Sequence, residues 1–329
     1  MPTVGQSIMW FKNLILYRFS KPFEYTAETL EEKLAEQRFR PCSKSEMSSF
    51  GWVSPVPDGD SLIHASGQFL VVTAKKEDKL LPASVVRDAL KEKIETIEHE
   101  QGRKVFKKEK DQLKDEITRD LLPRAFSRSS RTSAYIDSRN GWLIVDASSF
   151  RKAEELTSSL RSCLGSLPVL PPALKSSPSA IMTNWLQQSA DLPAPFILGD
   201  ECELKEPGEE GGIVRCKRVD LLSEEVSLHL TSGKVVSRIA MQWDESIDCI
   251  LGEDLCIKRL KFTDTLQEQS DALDIEDKAG RFDADFTLMA LTLERFLSEL
   301  INALGGEDTS RTGQEAEPVG MEEPELAEA

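Results

Sequence analysis

The sequence predicts an α+β fold with mainly antiparallel sheets. β-prone runs follow one another along the chain, with helical segments interspersed between them. The pair Asn140-Gly141, which lies between two such runs, is a strong short-range signal for a β-hairpin. Several other segments repeat apolar residues at the 3.6-residue period of an amphipathic helix. With 329 residues, 40 % hydrophobic and 30 % charged, the composition is typical of a globular chain of two or three domains.

The first third is predicted as a strand, a helix and a strand, preceded by a loose leader from Met1 to Ile8. The two strands are Met9–Phe19 and Gln68–Ala74, which are rich in aromatic and β-branched residues. The helix runs from a Thr26 cap to about Phe39, with Leu30 and Leu34 facing inward. Phe50-Gly51-Trp52 and the Pro55–Asp60 cluster predict a turn-rich connection between helix and strand.

Two helices separated by Gly102 are predicted next. Pro82 opens the first, which reaches about Gln101 with Val86, Leu90, Ile94 and Ile97 on one face. The second buries Phe106, Leu113 and Ile117, and Pro123 stops it and biases Leu122 away from the αR conformation. Each helix is about 27 Å long. Both a projecting finger and a helical pair packed in the core fit this pattern.

The remaining elements follow from similar signals. They are strands at Thr132–Asp137 and Trp142–Asp146, a helix from the Ser149 cap to Leu164, a helix at Ser179–Gln188, strands at Phe196–Glu203 and Gly212–Val219, a helix at Glu224–Leu230, strands at Lys234–Trp243, Ile247–Leu251 and Leu255–Phe262, and a helix at Asp285–Leu304. The Pro-rich stretch Leu167–Pro172 predicts a domain junction. The predicted domains are 1–74 with 125–166, a helical finger at 75–124, a base at 167–304, and a disordered acidic tail at 305–329.

The stretch from Gly102 to Arg131 is the main candidate for function. A cationic stripe repeats at i, i+4, i+7 and i+11, and consists of Arg103, Lys107, Lys110 and Lys114. Like charges at these spacings repel, which favours an anionic partner. Beyond Pro123, Arg124 and Arg128 bracket Phe126 in a short exposed segment, with Arg131 close behind. Arginine binds phosphate bidentately and an aromatic ring can stack on bases. The alternative is a solvated helix face, with Phe126 capping a core.

The distribution of charge fits a basic working surface on an acidic protein. The formal net charge is −16, yet residues 75–131 hold sixteen basic and twelve acidic side chains. Residues 305–329 hold eight acidic residues and one arginine. No apolar run approaches the length that spans a bilayer, and the N-terminus lacks the order of a signal peptide. We therefore expect a cytoplasmic protein that is not bound to a membrane.

Enzyme chemistry finds little support in the sequence. Six cysteines are scattered without a C-x-x-C pair, which predicts reduced and mostly buried thiols, and three histidines lie far apart. No P-loop or G-x-S-x-G motif occurs. Asp283 and Asp285 could form the metal-binding carboxylate pair of a nuclease. The simpler interpretation is that they favour the positive N-terminus of the long helix. We expect no cofactor and no enzymatic activity.

Short motifs from about Met9 to Gly306 give a resemblance to a known family. The motifs are Trp10-Phe11-Lys12-Asn13-Leu14, Gly51-Trp52-Val53, Leu121-Leu122-Pro123-Arg124-Ala125-Phe126-Ser127-Arg128, Leu164-Gly165-Ser166-Leu167-Pro168, Lys258-Arg259-Leu260-Lys261-Phe262 and Arg281-Phe282-Asp283-Ala284-Asp285-Phe286. In order and spacing they resemble the bacterial recombination-associated RdgC family.

The resemblance implies a non-enzymatic protein of the nucleoid that binds double-stranded DNA with little regard to sequence. It implies a homodimer that closes as a ring around duplex DNA, with a basic inner surface, and that restrains the RecA recombinase by occupying DNA. Arg103, Arg124, Phe126 and Arg128 match positions that the family uses for DNA binding and ring closure. The family's second ring contact uses a Lys-Gln pair, which corresponds here to Arg218-Val219. This replacement keeps the charge and loses the amide.

Two other functions remain open at this point. In one, the chain regulates recombination by contacting the recombinase directly, so that the basic finger meets an acidic protein surface. In the other, it is a metal-dependent nuclease that uses Asp283 and Asp285.

Overall fold

The computed structural model describes residues 9–208, 211–264, 266, 268, 275 and 277–311. Within these residues the chain forms two sheets with helices packed on them, and the named strands pair antiparallel throughout. The predicted α+β class is therefore confirmed. None of the helices in the described part of the chain combines the length and the apolarity needed to cross a membrane.

The inner part of the first sheet is buried on both faces. Its order is β2-β4-β5-β6-β1-β7, with β3 paired to β4. The strands are β1 (Ile15–Phe19), β2 (Ser48–Val53), β3 (Ile63–Ser66), β4 (Phe69–Leu80), β5 (Phe126–Asp137), β6 (Trp142–Val145) and β7 (Val169–Leu170). Alternate residues of a strand point to opposite faces. Leu70 and Val72 accordingly join one core, whereas Phe69 and Val71 join the other.

Helices α1 (Ala27–Ala35) and α4 (Phe150–Leu164) cover one face of the first sheet. The Thr26 side chain accepts a hydrogen bond from the Thr29 backbone N–H, as its position before an apolar stripe predicts. The inward side chains of α4 are those that the 3.6-residue period selects, namely Ala153, Leu156, Leu160 and Leu164. Both predicted helices are confirmed, although α1 ends before Phe39.

The second sheet has the order β12-β11-β10-β8-β9. Its strands are β8 (Phe196–Lys205), β9 (Ile213–Lys217), β10 (Val235–Trp243), β11 (Ile247–Gly252) and β12 (Ile257–Phe262). Helices α5 (Pro178–Gln187) and α6 (Glu224–Thr231) pack with this half of the chain. These elements match the predicted ones to within a few residues.

A long helix, α7 (Lys278–Ala303), links the two sheets through a shared core. Its Phe286 ring lies 6.4 Å from Phe69 and 6.0 Å from Tyr135, both of which belong to the first sheet. Ten residues further along the helix, Phe296 lies 5.5 Å from Trp243 of the second sheet. The N-cap of α7 is Asp277, so the helix begins seven residues before the predicted start at Asp285.

The N-terminal segment also joins the sheets. Leu14 and Ile257 exchange backbone hydrogen bonds of 2.8 and 3.0 Å, and the Leu260 N–H donates to the Lys12 carbonyl at 2.8 Å. Residues before Ile15 therefore pair with β12 and not with β6. The predicted strand over Met9–Phe19 is wrong in its first half for this reason. The predicted leader, Met1 to Ile8, lies outside the described residues.

Two strands replace part of the predicted turn-rich connection. β2 holds Phe50, Gly51 and Trp52 against β4, and β3 pairs with the first residues of β4. A Cβ at Gly51 would lie 2.5 Å from the Phe39 backbone, so the close approach of these two segments requires glycine. Two serines and a glycine among the six residues of β2 make it look like a turn in the sequence.

The tail is ordered for longer than the sequence predicts. Glu307 pairs with Arg18 at 2.9 Å and bridges to Leu174, and a 3₁₀ turn spans Thr309–Arg311. The prediction of disorder from Gly305 is therefore wrong for residues 305–311. The rest of the predicted tail lies outside the described residues, and the division into domains stays a prediction.

Candidate nucleic-acid interface

The candidate segment around Phe126 is the outer half of β5, which pairs with β4, and residues 73–78 of β4 pair with β2 on their other side. β4 and β5 pair over twelve residues each, from Phe69↔Asp137 to Leu80↔Phe126. We call residues 75–80 together with residues 126–131 the outer ribbon. In β5 this half contacts only β4 among the named strands, because the β5–β6 pairing stops at Ala134. The segment predicted as a short exposed connection is thus the start of a strand, and β5 begins six residues before the predicted Thr132.

The two faces of the outer ribbon carry different predicted residues. Since side chains alternate along a strand, Phe126 and Arg128 project from one face and Arg131 from the other. On the first face, Phe126 lies opposite Leu80 and Arg128 opposite Asp78. On the second, Arg131 lies opposite Lys75. The structure therefore brings Phe126 and Arg128 together and separates Arg131 from them.

Most of the cations at the outer ribbon lack an acidic partner. Of its charged residues, five are basic (Lys75, Lys76, Lys79, Arg128, Arg131) and two acidic (Glu77, Asp78), a net of +3. Lys76 is matched, since it contacts Glu155 and lies 3.8 Å from Asp78. Within the described residues no carboxylate lies within 4.0 Å of Arg124, Arg128 or Arg131. These guanidiniums are free to bind an external anion.

Lysines of β4 belong to this surface, although the sequence did not single them out. Lys75 and Lys79 enter it only because β4 pairs with β5 in this register. The Lys75 ammonium lies 4.5 Å from the centre of the Phe39 ring, a cation–π contact that leaves its charge unneutralised. The sequence signal that could have identified these two lysines is the charged run from Lys75 to Lys79, which directly follows an apolar strand.

The predicted pair of helices connects the two strands of the outer ribbon. α2 (Ala83–Gln101) and α3 (Lys107–Leu121) follow β4, and Gly102 between them has φ +62°. The buried apolar residues of this pair belong to neither of the two main cores, and are Val86, Val105, Leu113, Ile117 and Leu122. Lys93 and Glu116 form an ion pair of 2.9 Å across the two helices.

Two predictions about α3 are wrong. Phe106 is the N-cap residue and is 73 % exposed, whereas Val105 takes the buried place. Leu122 adopts the αR conformation and begins a 3₁₀ turn through Arg124, although α3 itself ends before Pro123 as predicted. Proline needs no N–H at the start of such a turn, so the chain tightens instead of extending.

Arg103 is not part of the cationic stripe. It precedes α3, and its guanidinium donates two hydrogen bonds of 2.7 Å to Glu109. Hydrogen bonding to Arg103 lowers the pKa of the Glu109 carboxyl, and the same contact raises the pKa of Arg103. Because Arg103 is already paired with the Glu109 carboxylate, its assignment to DNA binding is weaker.

The lysines of α3 are exposed but share their helix with acids. Lys107, Lys110 and Lys114 have no carboxylate within 4.0 Å among the described residues. However, Asp111 lies four residues after Lys107 and three before Lys114, and the helix as a whole holds five acidic and five basic residues. The outer ribbon is therefore the stronger part of the candidate interface.

Phe126 is the most exposed large apolar side chain in the described part of the chain, at 84 %. Its cross-strand neighbour Leu80 is 49 % exposed. Such a pair, with Arg124 and Arg128 beside it, can stack on a base or pack against a protein. The alternative in which Phe126 caps a core is wrong.

Arg218 lies in the other sheet. It follows β9, which is the edge strand, and adopts a φ of +55° with its side chain exposed. The next residue, Val219, donates its N–H to the Asp200 carbonyl at 3.3 Å. Phe126 and Arg218 do not meet within one chain, so a contact that uses both requires more than one surface.

The carboxylates considered for a nuclease do not converge. Asp283 and Asp285 lie in the second and third turns of α7, not at its N-terminus, so the helix-dipole interpretation is wrong. Asp283 pairs with His64 at 2.8 Å, and Asp285 is 1 % exposed and lies 3.5 Å from Arg281. Residues two apart on a helix point in nearly opposite directions. Among the described residues, no three histidine, cysteine or acidic side chains are grouped to hold a metal.

Comparison with known proteins places these features in a family. A family model described as "Putative exonuclease, RdgC" matches residues 9–307. A protein named "Recombination-associated protein RdgC" from Psychromonas ingrahamii is 50 % identical over 302 residues, covering 92 % of this chain and all of that protein. The chain belongs to the RdgC family.

Other members of the RdgC family have the same name and a similar match. The Aeromonas hydrophila protein is 48 % identical over 303 residues, covering 92 % of this chain and 100 % of its own length. The Pseudomonas aeruginosa PAO1 protein is 48 % identical over 302 residues, covering 91 % and 98 %. A general role in recombination follows for the RdgC family.

Proposed function

We propose that this chain binds double-stranded DNA with little sequence preference, closes around it as a homodimeric ring, and so restrains recombination by the RecA recombinase in the nucleoid. The observation that carries the proposal is the outer ribbon, which has a net charge of +3 in a chain of −16. Phosphate contacts supply affinity without reading bases. The proposal assigns them to Arg124, Arg128, Arg131, Lys75 and Lys79, with Lys107, Lys110 and Lys114 as weaker contributors.

Ring closure is proposed from two separate surfaces. Phe126 projects from the first sheet, and Arg218 follows the edge strand of the second. A two-fold dimer can use each surface against its own copy, which leaves a space between the two contacts. In this arrangement the α2–α3 pair projects as a finger.

The first experiment measures duplex affinity by fluorescence anisotropy at several salt concentrations. Binding to phosphates predicts that log affinity falls with log salt by about 0.9 for each phosphate neutralised. The double variant Arg124→Ala, Phe126→Ala is expected to bind more weakly and with a smaller salt slope, because one cation is lost. A salt-independent affinity would contradict the proposal.

Matched controls are available in the same chain. Arg139 is exposed in the β5–β6 turn, at the opposite end of β5, and Phe150 is 39 % exposed at the start of α4. The double variant Arg139→Ala, Phe150→Ala removes the same side-chain types elsewhere. Equal losses in both double variants would show that the outer ribbon is not the binding surface.

A second candidate function is direct contact with the recombinase. The exposed Phe126–Leu80 pair favours it, since an apolar pair of this kind is typical of a protein interface. Capture from an extract treated with nuclease separates the two functions. Recovery of the recombinase without DNA supports direct contact, and loss of recovery after nuclease treatment supports the DNA-binding function. Incubation of plasmid with Mg²⁺ or Mn²⁺ tests nuclease activity.

A further inference from the structure

Two of the six cysteines face each other across the edge of the second sheet. Cys202 of β8 and Cys216 of β9 are directly opposite in the antiparallel register. Residues so placed have Cα atoms about 4.5–5.5 Å apart. That separation lies inside the range of about 4.4–6.8 Å that a disulfide needs. The backbone therefore already holds the two sulfurs within bonding reach, and none of the other four cysteines is the cross-strand partner of a cysteine.

The two thiols differ in access to solvent. Cys202 is 5 % exposed and belongs to the main core, whereas Cys216 is half-buried and packs at its margin. Both side chains project to the core side of the sheet, where Leu204 and Val214 are their neighbours along the strands. A small oxidant therefore meets Cys216 first, because Cys216 is the more exposed of the two thiols.

The charged residues next to the two cysteines lie on the other face of the sheet, because side chains alternate along a strand. Arg215 and Lys217 flank Cys216 in β9, and Glu201 and Glu203 flank Cys202 in β8. The case for reaction between the two thiols therefore rests on their direct cross-strand placement and on the partial exposure of Cys216.

We propose that Cys202 and Cys216 form a redox modification site, which a peroxide converts to an intramolecular disulfide and a thiol reductant restores. Cys216, as its thiolate, attacks one peroxide oxygen and releases the first water, leaving a sulfenic acid. Cys202 then gives up its proton and attacks the Cys216 sulfur, and the sulfenic oxygen leaves as the second water. The two thiols lose two electrons and two protons, and the peroxide is reduced to two water molecules.

The order of attack follows from the surroundings of Cys202. Burial, followed by the Cys216 thiol beside it, raises the pKa of Cys202 to about 12. A thiol in this state does not react first, and it resolves the sulfenic acid because it is the direct cross-strand neighbour of Cys216. Because β9 is an edge strand with a free side, it can adjust to the new bond without disturbing β10. This redox proposal does not depend on the proposed DNA-binding function.

Thiol counting on the full-length chain tests the proposal. After treatment with hydrogen peroxide, the chain is denatured and alkylated with N-ethylmaleimide, and its intact mass is measured. We expect the number of alkylated cysteines to fall from six to four, and dithiothreitol to restore six. Peptic digestion at low pH is expected to yield the Cys202 and Cys216 peptides joined together.

Two variants provide the comparison. Cys216→Ser is expected to keep all of its five thiols alkylatable after brief oxidation, whereas Cys42→Ser, which removes another half-buried cysteine, should fall from five to three. A wild-type chain that keeps six alkylatable thiols, or that joins any other pair of cysteines, would overturn the proposal. The wild-type measurement decides the question even where Cys216→Ser folds poorly.

Discussion

At the scale of single residues, Asp146 shows how one side chain ties distant segments together. It lies just after β6, and one carboxylate oxygen accepts the backbone N–H groups of Lys12 at 3.1 Å and Asn13 at 2.9 Å. Burial raises its pKa above the ordinary value of 3.8, against the effect of these two hydrogen bonds. The folded state therefore binds the Asp146 proton more tightly than the unfolded state does. It loses stability as the pH rises above 3.8 through the folded-state pKa.

Asp146→Asn tests the balance between the burial of the Asp146 charge and the two hydrogen bonds that its carboxylate accepts. The amide oxygen can still accept both N–H groups, and the variant has no charge to bury. We expect its free energy of unfolding to match or exceed that of the wild type at neutral pH, and its advantage to disappear near pH 4. Urea denaturation at several pH values measures the difference.

Asp146→Ala is the matched control. It removes the acceptor and leaves the partly buried N–H of Asn13 and the exposed N–H of Lys12 without this partner, at a cost of about 1–3 kcal/mol at every pH. If the asparagine and alanine variants were equally unstable at neutral pH, the charge of Asp146 would be more important than its hydrogen bonds.

At the scale of elements, the sequence predicted the features that depend on neighbouring residues, and it missed the pairing of strands that lie far apart in the chain. The Thr26 cap, the apolar stripe of α4 and the Asn140-Gly141 turn act within a few residues, so the sequence predicted all three. The outer half of β5 is serine- and arginine-rich, and only its partner β4 makes it a strand. For the same reason the sequence predicted that Phe126 and Arg128 are exposed, but it could not place Lys75 and Lys79 on the face of the strand pair that carries Arg131.

The α2–α3 pair has a small core of its own, so its stability should be separable from that of the sheets. Leu113→Ala removes one of the few buried apolar side chains of this pair. We expect local opening, with faster amide hydrogen exchange over 83–121 and little change in β4 before Lys75 or in β6. Hydrogen–deuterium exchange with mass spectrometry measures both regions.

Leu156→Ala is the control for this element. Leu156 is fully buried in the core between α4 and the first sheet. Its truncation should cost about 2–5 kcal/mol and speed exchange across that sheet. A Leu113→Ala variant that loosened both sheets equally would show that the helical pair is part of the main cooperative unit.

At the scale of the whole molecule, the proposal depends on where the charge lies. A net charge of −16 repels DNA at long range, and the outer ribbon attracts it at close range. A closed ring would resolve this conflict, because bases can line the hole while acids face outward. Enclosure also slows release beyond what the contacts alone would give.

Enclosure predicts a dependence on DNA ends. Complexes on nicked circular DNA should resist a high-salt wash, whereas complexes on linear DNA of the same sequence should slide off. Blocking both ends of the linear DNA with biotin and streptavidin should restore retention. Gel-based quantification of bound protein measures the three cases, and equal loss from all three would contradict a ring.

The bridge between Leu14 and Ile257 sets an order of events during synthesis. When the ribosome has made Leu14, its β12 partner is still roughly 240 residues away, which at about 5–20 residues per second is a delay of roughly 10–50 s. Until then Trp10, whose ring lies 4.6 Å from that of Phe262 of β12 in the finished fold, lacks this partner. The nascent chain therefore carries an uncovered apolar N-terminal segment for most of its translation, and a transcript truncated before β12 would yield a protein that never covers it.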